Sequence, residues 1–230
     1  MKDKLNINAI ITGSTGMVGK GVLLECLYNS KVSSVLMINR SPSGIEHPKL
    51  KELIVNNFFD IGNFINELTG YNTCFFCLGT SAVGLKEKDY YRITYELTIN
   101  FAEVFLSQNK NSVFCYVTGA GTDKSEKGGI MWARVKGKTE NAISELAFKS
   151  SYMFRPGYIQ PLKGIKSKTK SYNMIYTILS PFYRFLKLFP GLTTNTTFLG
   201  RAMINVVANE EKIKYLGNRD INRIDRKSTR

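Results

Sequence analysis

Apolar positions along the first 155 residues alternate between two spacings. Ile7, Ala9, Ile10 and Ile11 make a short β-prone run, and Val22, Leu23, Leu24, Cys26 and Leu27 follow at helical spacing. Further strand-like runs lie at 35–38, 50–55, 73–78, 113–117 and 152–155. Between them, helical patterns cover 62–68, 88–109 and 130–149, the second with Tyr91, Tyr95, Phe101, Val104 and Phe105 on or near its buried side. The run 73–78 is apolar on both faces, as a central parallel strand is. Strand alternating with helix predicts an α/β fold with a doubly wound parallel sheet. No internal repeat is present.

The pattern changes after Gly157. Residues 163–170 form a basic loop, and 172–192 are rich in apolar and aromatic residues interrupted by Pro181 and Pro190. Two readings fit 163–192: a helical lid over the substrate side, or a surface resting weakly on anionic lipid. Thr193 to Thr197 read as a helix N-terminal region, and Leu199 to Asn209 as a closing helix. The expected organisation is a dinucleotide-binding core at 1–157 and a small, mostly helical substrate-side segment at 158–220 completing the same domain. The basic tail at 221–230 is expected to be solvated and poorly ordered.

Where the first strand pattern meets the first helix pattern stands Thr12-Gly13-Ser14-Thr15-Gly16-Met17-Val18-Gly19. Strand, glycine turn and helix in that order make a dinucleotide-binding signature of the Rossmann type. Gly13 lets the chain turn sharply, Gly16 lets a pyrophosphate approach the backbone, and Gly19 lets the helix pack close. The first-turn N–H groups then face the phosphates, with the helix dipole favouring negative charge. The second strand pattern ends in Asn39-Arg40-Ser41, with no carboxylate at the place that bonds a ribose 2′-hydroxyl in NAD-selective sites. The Arg40 guanidinium suits a 2′-phosphate, so NADP(H) is expected in preference to NAD(H). Asp60 either lines the adenine pocket or caps the short helix after it. Leu78-Gly79-Thr80 leave the fourth strand where small residues let the chain run along the cofactor.

Composition narrows the classes. The chain has 230 residues, 32 Lys plus Arg against 18 Asp plus Glu, and a formal charge of +14. That balance attracts polyanions without choosing among them. No RRM, KH or zinc-finger pattern accompanies it, so no specific nucleic acid partner is expected. No signal-peptide pattern or long apolar span is present, which leads to the expectation of a cytoplasmic protein. Cys74 and Cys77 have C-x-x-C spacing but fall in a buried strand pattern, which favours packing over thiol chemistry. His47, the only histidine, lies in a polar loop, so neither a histidine triad nor a histidine-rich metal site is expected.

Taken together, these segments resemble the short-chain dehydrogenase/reductase superfamily, in its atypical branch. The resemblance rests on the opening glycine motif and on Asn39-Arg40, Phe76-Cys77-Leu78-Gly79-Thr80, Gly121-Thr122-Asp123-Lys124-Ser125, Val135-Lys136-Gly137, Phe154-Arg155-Pro156-Gly157 and Arg201-Ala202-Met203-Ile204-Asn205. It implies that Lys136 bonds the nicotinamide ribose and that the backbone after Pro156 approaches the carboxamide. It also implies a catalytic Tyr four residues before the Lys and a Ser after the fifth strand. Here those positions hold Trp132 and Thr118. An indole N–H donates a hydrogen bond but does not exchange a proton near neutral pH. Two functions therefore stay open. One is an oxidoreductase acting on a small carbonyl or quinone-type compound; the other is a catalytically silent NADP(H)-binding regulatory or scaffold protein. The expected assembly is a monomer or homodimer.

Overall fold

The computed structural model describes residues 6–165 and 191–228. Its main sheet has seven strands in the order β3-β2-β1-β4-β5-β6-β9. They are β1 (Ile7–Thr12), β2 (Val32–Asn39), β3 (Leu50–Ile54), β4 (Thr73–Phe76), β5 (Val113–Val117), β6 (Ser150–Arg155) and β9 (Tyr215–Gly217). Every pairing is parallel. The expected doubly wound α/β architecture is present.

The alternation along β1 sets the two layers. Ile7, Ala9 and Ile11 point into a core shared with α1 (Met17–Tyr28) and α5 (Thr196–Ala208). Ile10 points the other way, into a core with the 3₁₀ segment Phe58–Leu68, α3 (Leu97–Gln108) and α4 (Met131–Glu145). Cys74 belongs to the second core and Cys77 packs on the first, so the C-x-x-C pair is divided between the two faces. The helical pattern at 88–109 resolves into α2 (Glu87–Tyr91), a π turn (Arg92–Glu96) and α3. The helix expected to reach residue 149 ends at Glu145. β4 stops at Phe76 because the Leu78 amide donates to Thr12 Oγ1 (3.2 Å) instead of continuing the ladder.

The segment after Gly157 is built into the fold more deeply than its composition suggests. β7 (Tyr158–Gln160) and β8 (Thr193–Asn195) form a parallel ribbon, where a helix N-terminal region was expected over 193–197. Asn195 caps α5, its side chain accepting from the Phe198 amide at 2.8 Å. α5 packs closely on α1: a Cβ at Gly21 would stand 2.8 Å from Thr196 Cβ, and one at Gly200 2.8 Å from Glu25 Cγ. Arg201 and Lys163 both bond the Glu25 carboxylate, at 3.1 and 2.6 Å. The lid or lipid surface expected at 163–192 lies mainly at 166–190, outside the described residues.

The expected disordered tail is corrected. Residues Asn218–Ser228 form a helix, α6, and Ile221, Asn222, Ile224 and Asp225 are buried. Two isoleucines three apart supply an apolar stripe, and specific hydrogen bonds do the rest. Asn222 accepts from Thr194 Oγ1 and donates to the Thr193 carbonyl, both at 2.8 Å, so α6 pins β8. Truncating Ile224 to Ala removes a fully buried side chain and is expected to lower unfolding free energy by roughly 2–5 kcal/mol, read by urea denaturation. A loss below about 0.5 kcal/mol, the range of surface changes, would return this segment to a loose tail.

Candidate functional site

The strand order reverses between β1 and β4, and in open parallel sheets ligands bind outside the carboxyl ends of the strands at such a point. A cleft of about 410 Å³ opens there. The glycine turn forms one wall, with Gly13, Thr15, Gly16, Met17, Val18 and Gly19. Gly13 has φ +69°, and a Cβ there would stand 2.7 Å from the Cys77 carbonyl and the Leu78 nitrogen. A Cβ on Gly19 would run into the Gly13 carbonyl and stand 2.8 Å from the Ser14 nitrogen. Backbone thus packs directly on backbone, and no side chain caps or carries negative charge at the first turn of α1. Those amides and the positive end of the helix dipole are left for an anion.

The opposite wall is Cys77, Leu78, Gly79 and Thr80 after β4, with Val117, Thr118, Lys136, Pro156 and Gly157 beyond. The exposed Arg40 stands at the outer end, where a smaller adjoining hollow is lined by Asn39, Ser41 and Phe58. Asn39 is buried, and its side chain also holds the turn. Its Oδ1 accepts from Ser14 Oγ at 2.7 Å and its Nδ2 donates to Glu52 Oε1 at 3.1 Å, which also accepts from the Ser43 amide. Ser14 therefore points away from the cleft. Asp60 is exposed, accepts from Asn57 Nδ2 at 2.9 Å and lines neither hollow; neither of its expected roles is supported, since Asn57 caps the 3₁₀ segment and Asp60 lies inside it.

At the inner end Lys136 Nζ donates to the Thr118 carbonyl at 2.8 Å. Burial holds the Lys136 ammonium down to about 8, and Glu140 opposes the shift. The Thr118 hydroxyl has a single hydrogen to give. It donates to Glu140 Oε1 at 2.7 Å, so it faces the interior. Trp132 does not line the cleft; its ring packs over the loop after β5, where Cβ atoms on Gly119 and Gly121 would stand 3.9 and 3.5 Å from it. That loop is fixed by Asp123, which accepts from Ser125 Oγ at 2.6 Å and from the Ser125 and Gly128 amides. Gly137 of α4 has no room for a Cβ against the Asp123 carbonyl. The Cys77 thiol is pushed up to about 12 by burial and is not a nucleophile near neutral pH. Tyr158 donates to Gln160 Oε1, and Tyr91 stacks on Tyr95; neither lines the cleft.

No family model matches the chain. Over 231 residues it is 24% identical to the protein fmp52 of Emericella nidulans, covering 93% of this chain and 97% of that protein. Over 156 residues it is 26% identical to HTATIP2 of Rattus norvegicus, covering 67% of this chain and 63% of that protein. Among solved structures, a short-chain dehydrogenase from Burkholderia cenocepacia in complex with NADP superposes with a TM-score of 0.63 at 13% identity, over 92% of this chain and 87% of that one. The enzyme WbmF of Bordetella bronchiseptica in complex with NAD+ superposes with a TM-score of 0.65 at 11% identity, over 98% and 79%. The chain resembles the atypical short-chain dehydrogenases/reductases of the HTATIP2 group. Its fold is the Rossmann-like fold of the short-chain dehydrogenase/reductase structures. The cytoplasmic expectation is corrected, because fmp52 proteins are named as mitochondrial. Among the described residues no helix is long and apolar enough to cross a membrane.

Several residues that build the site were absent from the sequence reading. The buried Glu140 lies under Thr118 and pairs with the half-buried Arg155, which the sequence reading had only as part of a motif, and Glu52 anchors Asn39. Glu140 was within reach, since it follows Lys136 by one helical turn and shares its face. Replacing Asn39 with Ala leaves the buried Ser14 hydroxyl without its acceptor. The expected loss is roughly 1–3 kcal/mol in urea unfolding. Wild-type stability in that variant would contradict the clamp.

Proposed function

We propose that this chain binds NADP(H) in the cleft, in preference to NAD(H), and acts as an oxidoreductase on a small carbonyl or quinone-type compound. The observation that carries the reading is the cradle: a turn with no room for side chains, an uncapped helix N-terminus, and a guanidinium at the outer end. The amides of residues 15–19 would hold the diphosphate and Arg40 the 2′-phosphate by charge-assisted bonds. Gly79 and Thr80 would run along the ribose, with Lys136 on its hydroxyls and the backbone at Pro156 near the carboxamide. The NADP and NAD+ complexes among the structural neighbours support a nicotinamide dinucleotide in this place. When bound, the reduced nicotinamide supplies a hydride.

Trp132 stands where the resembled family carries its catalytic tyrosine, and its indole lies on Gly119 and Gly121. The described cleft wall therefore offers no phenol, and the Thr118 hydroxyl is committed to Glu140. Lys136 Nζ is the remaining cleft group that holds a proton with an affinity near neutrality. A quinone or enone that takes its proton from water fits this wall without a phenol. The same observation favours the second reading, a catalytically silent NADP(H)-binding protein.

Calorimetric titration with NADPH and NADH separates these outcomes. Arg40→Ala is expected to weaken NADPH binding by about tenfold or more, equivalent to 1.4 kcal/mol, with NADH affected less. Equal weakening of both would overturn the 2′-phosphate role. Oxidation of NADPH by a panel of carbonyls and quinones supports the enzyme; binding with no turnover across the panel supports the silent reading.

A further inference from the structure

We propose that Glu140 is the positioning residue of this site: its carboxylate fastens Thr118, just after β5, and Arg155, at the end of β6, to α4 and acts on Lys136 one helical turn before it on that helix. The role belongs to the same cleft as the proposed NADP(H) reading and gives that reading its proton-bearing group.

The geometry is that of a hub. Glu140 is fully buried. Its Oε1 accepts from Thr118 Oγ1 at 2.7 Å and from Arg155 Nε at 3.0 Å. Its Oε2 accepts from Arg155 Nε at 3.1 Å and makes a further ion pair with the Arg155 terminal guanidinium nitrogen. Thr118 directly follows β5, and Arg155, the last residue of β6, leads into Pro156 and Gly157; all but Arg155 line the cleft. One carboxylate therefore joins the two strand ends beneath the cleft. Thr118 is held from both sides, its hydroxyl by Glu140 and its carbonyl by Lys136 Nζ. Arg155 is braced in turn by the Tyr215 ring, 4.9 Å from its guanidinium carbon.

The electrostatics follow from the same placement. Burial drives Lys136 toward the neutral amine, and Glu140, one helical turn further along α4, draws it back toward the cation. The other ionisable groups lining the cleft are Arg40 at its outer end and the Cys77 thiol beyond β4, which burial keeps protonated. Behind Glu140 stand Arg155 from β6, whose charge the carboxylate meets, and Tyr116 from β5, held protonated by burial. Glu140 is thus the group favouring the ammonium. From there Nζ can hand a proton to an oxyanion in the cleft, its N–H bond breaking as the O–H bond forms, and regain the proton from water.

The test needs no substrate. The Lys136 ε-carbon resonance is followed against pH in full-length protein labelled with ¹³C-lysine and assigned with Lys136→Arg. The wild type is expected to titrate near 8. In Glu140→Gln the midpoint is expected to fall by about one pH unit or more, while exposed lysines stay near 10.4. Glu140→Asp keeps the charge and is expected to restore most of the shift. The double variant Glu140→Gln/Arg155→Met leaves no buried unpaired charge, so it tests the same fall in a chain able to fold if the single variant does not. An unchanged Lys136 midpoint in a folded Gln variant overturns the proposal, as does a wild-type midpoint with the exposed lysines. Calorimetry with NADPH on the wild type is read separately. Absent binding there sinks the cofactor reading and leaves the Glu140 titration standing; binding with an unmoved midpoint sinks only the Glu140 role.

Discussion

The site depends on one close approach. At the end of β1 the chain turns through Gly13 so tightly that its Cα faces the Cys77–Leu78 peptide, and Gly19 seats the first turn of α1 on the Gly13 carbonyl. Thr12 and Asn39 lock the turn to its neighbours, the first through the Leu78 amide and the second through Ser14. Any side chain at either glycine would push α1 away from the sheet. With the turn closed, the amides at the start of α1 open on the cleft rather than on a capping side chain. Backbone packing thereby becomes a surface for anions.

Charge is arranged around that surface with economy. The ionisable side chains on the cleft wall are Arg40, Lys136 and a thiol held protonated, and no carboxylate is among them. The carboxylate nearest in chemistry, Glu140, is buried behind the wall and matched to Arg155 and Thr118. A cationic cleft in a chain of formal charge +14 concentrates anionic ligands, and its low-dielectric lining strengthens each contact. Thr118 marks the departure from the resembled family. Its hydroxyl faces the interior, and Trp132 covers a loop, which leaves Lys136 as the cleft-lining group to which the proposal gives the proton.

Much of the framework was legible because it is written in periodicity. Buried parallel strands show as apolar runs, and the glycine turn shows as strand, Gly-x-x-Gly-x-x-Gly, helix. What escaped was held by individual polar contacts. α6 looked like a basic tail because Arg219, Arg223 and Arg226 dominate its composition, yet Ile221 and Ile224 face the core and Asn222 ties it to β8. β8 reads as polar, yet both its threonines are buried, the Thr194 hydroxyl donating to Asn222 and the Thr193 carbonyl accepting from it. Asn39 was expected on the cofactor; it lines the hollow beside Arg40 and its side-chain amide also braces the turn, a second role that only its partners reveal. Asp60 likewise shows its place only through its partner, Asn57, which is the cap. The cytoplasmic expectation failed on a different ground: location is a matter of addressing, which the fold does not encode.

The central claim is that residues 13–19, with Arg40, form a dinucleotide cradle. Amide hydrogen exchange followed by mass spectrometry, with and without NADPH, tests it most directly. The account predicts slowed exchange in peptides covering residues 13–19, 39–41 and 78–80, with β3 and the outer faces of α3 and α4 unchanged. Unchanged exchange across 13–19 at saturating NADPH, or protection confined to a surface away from the turn, would contradict it.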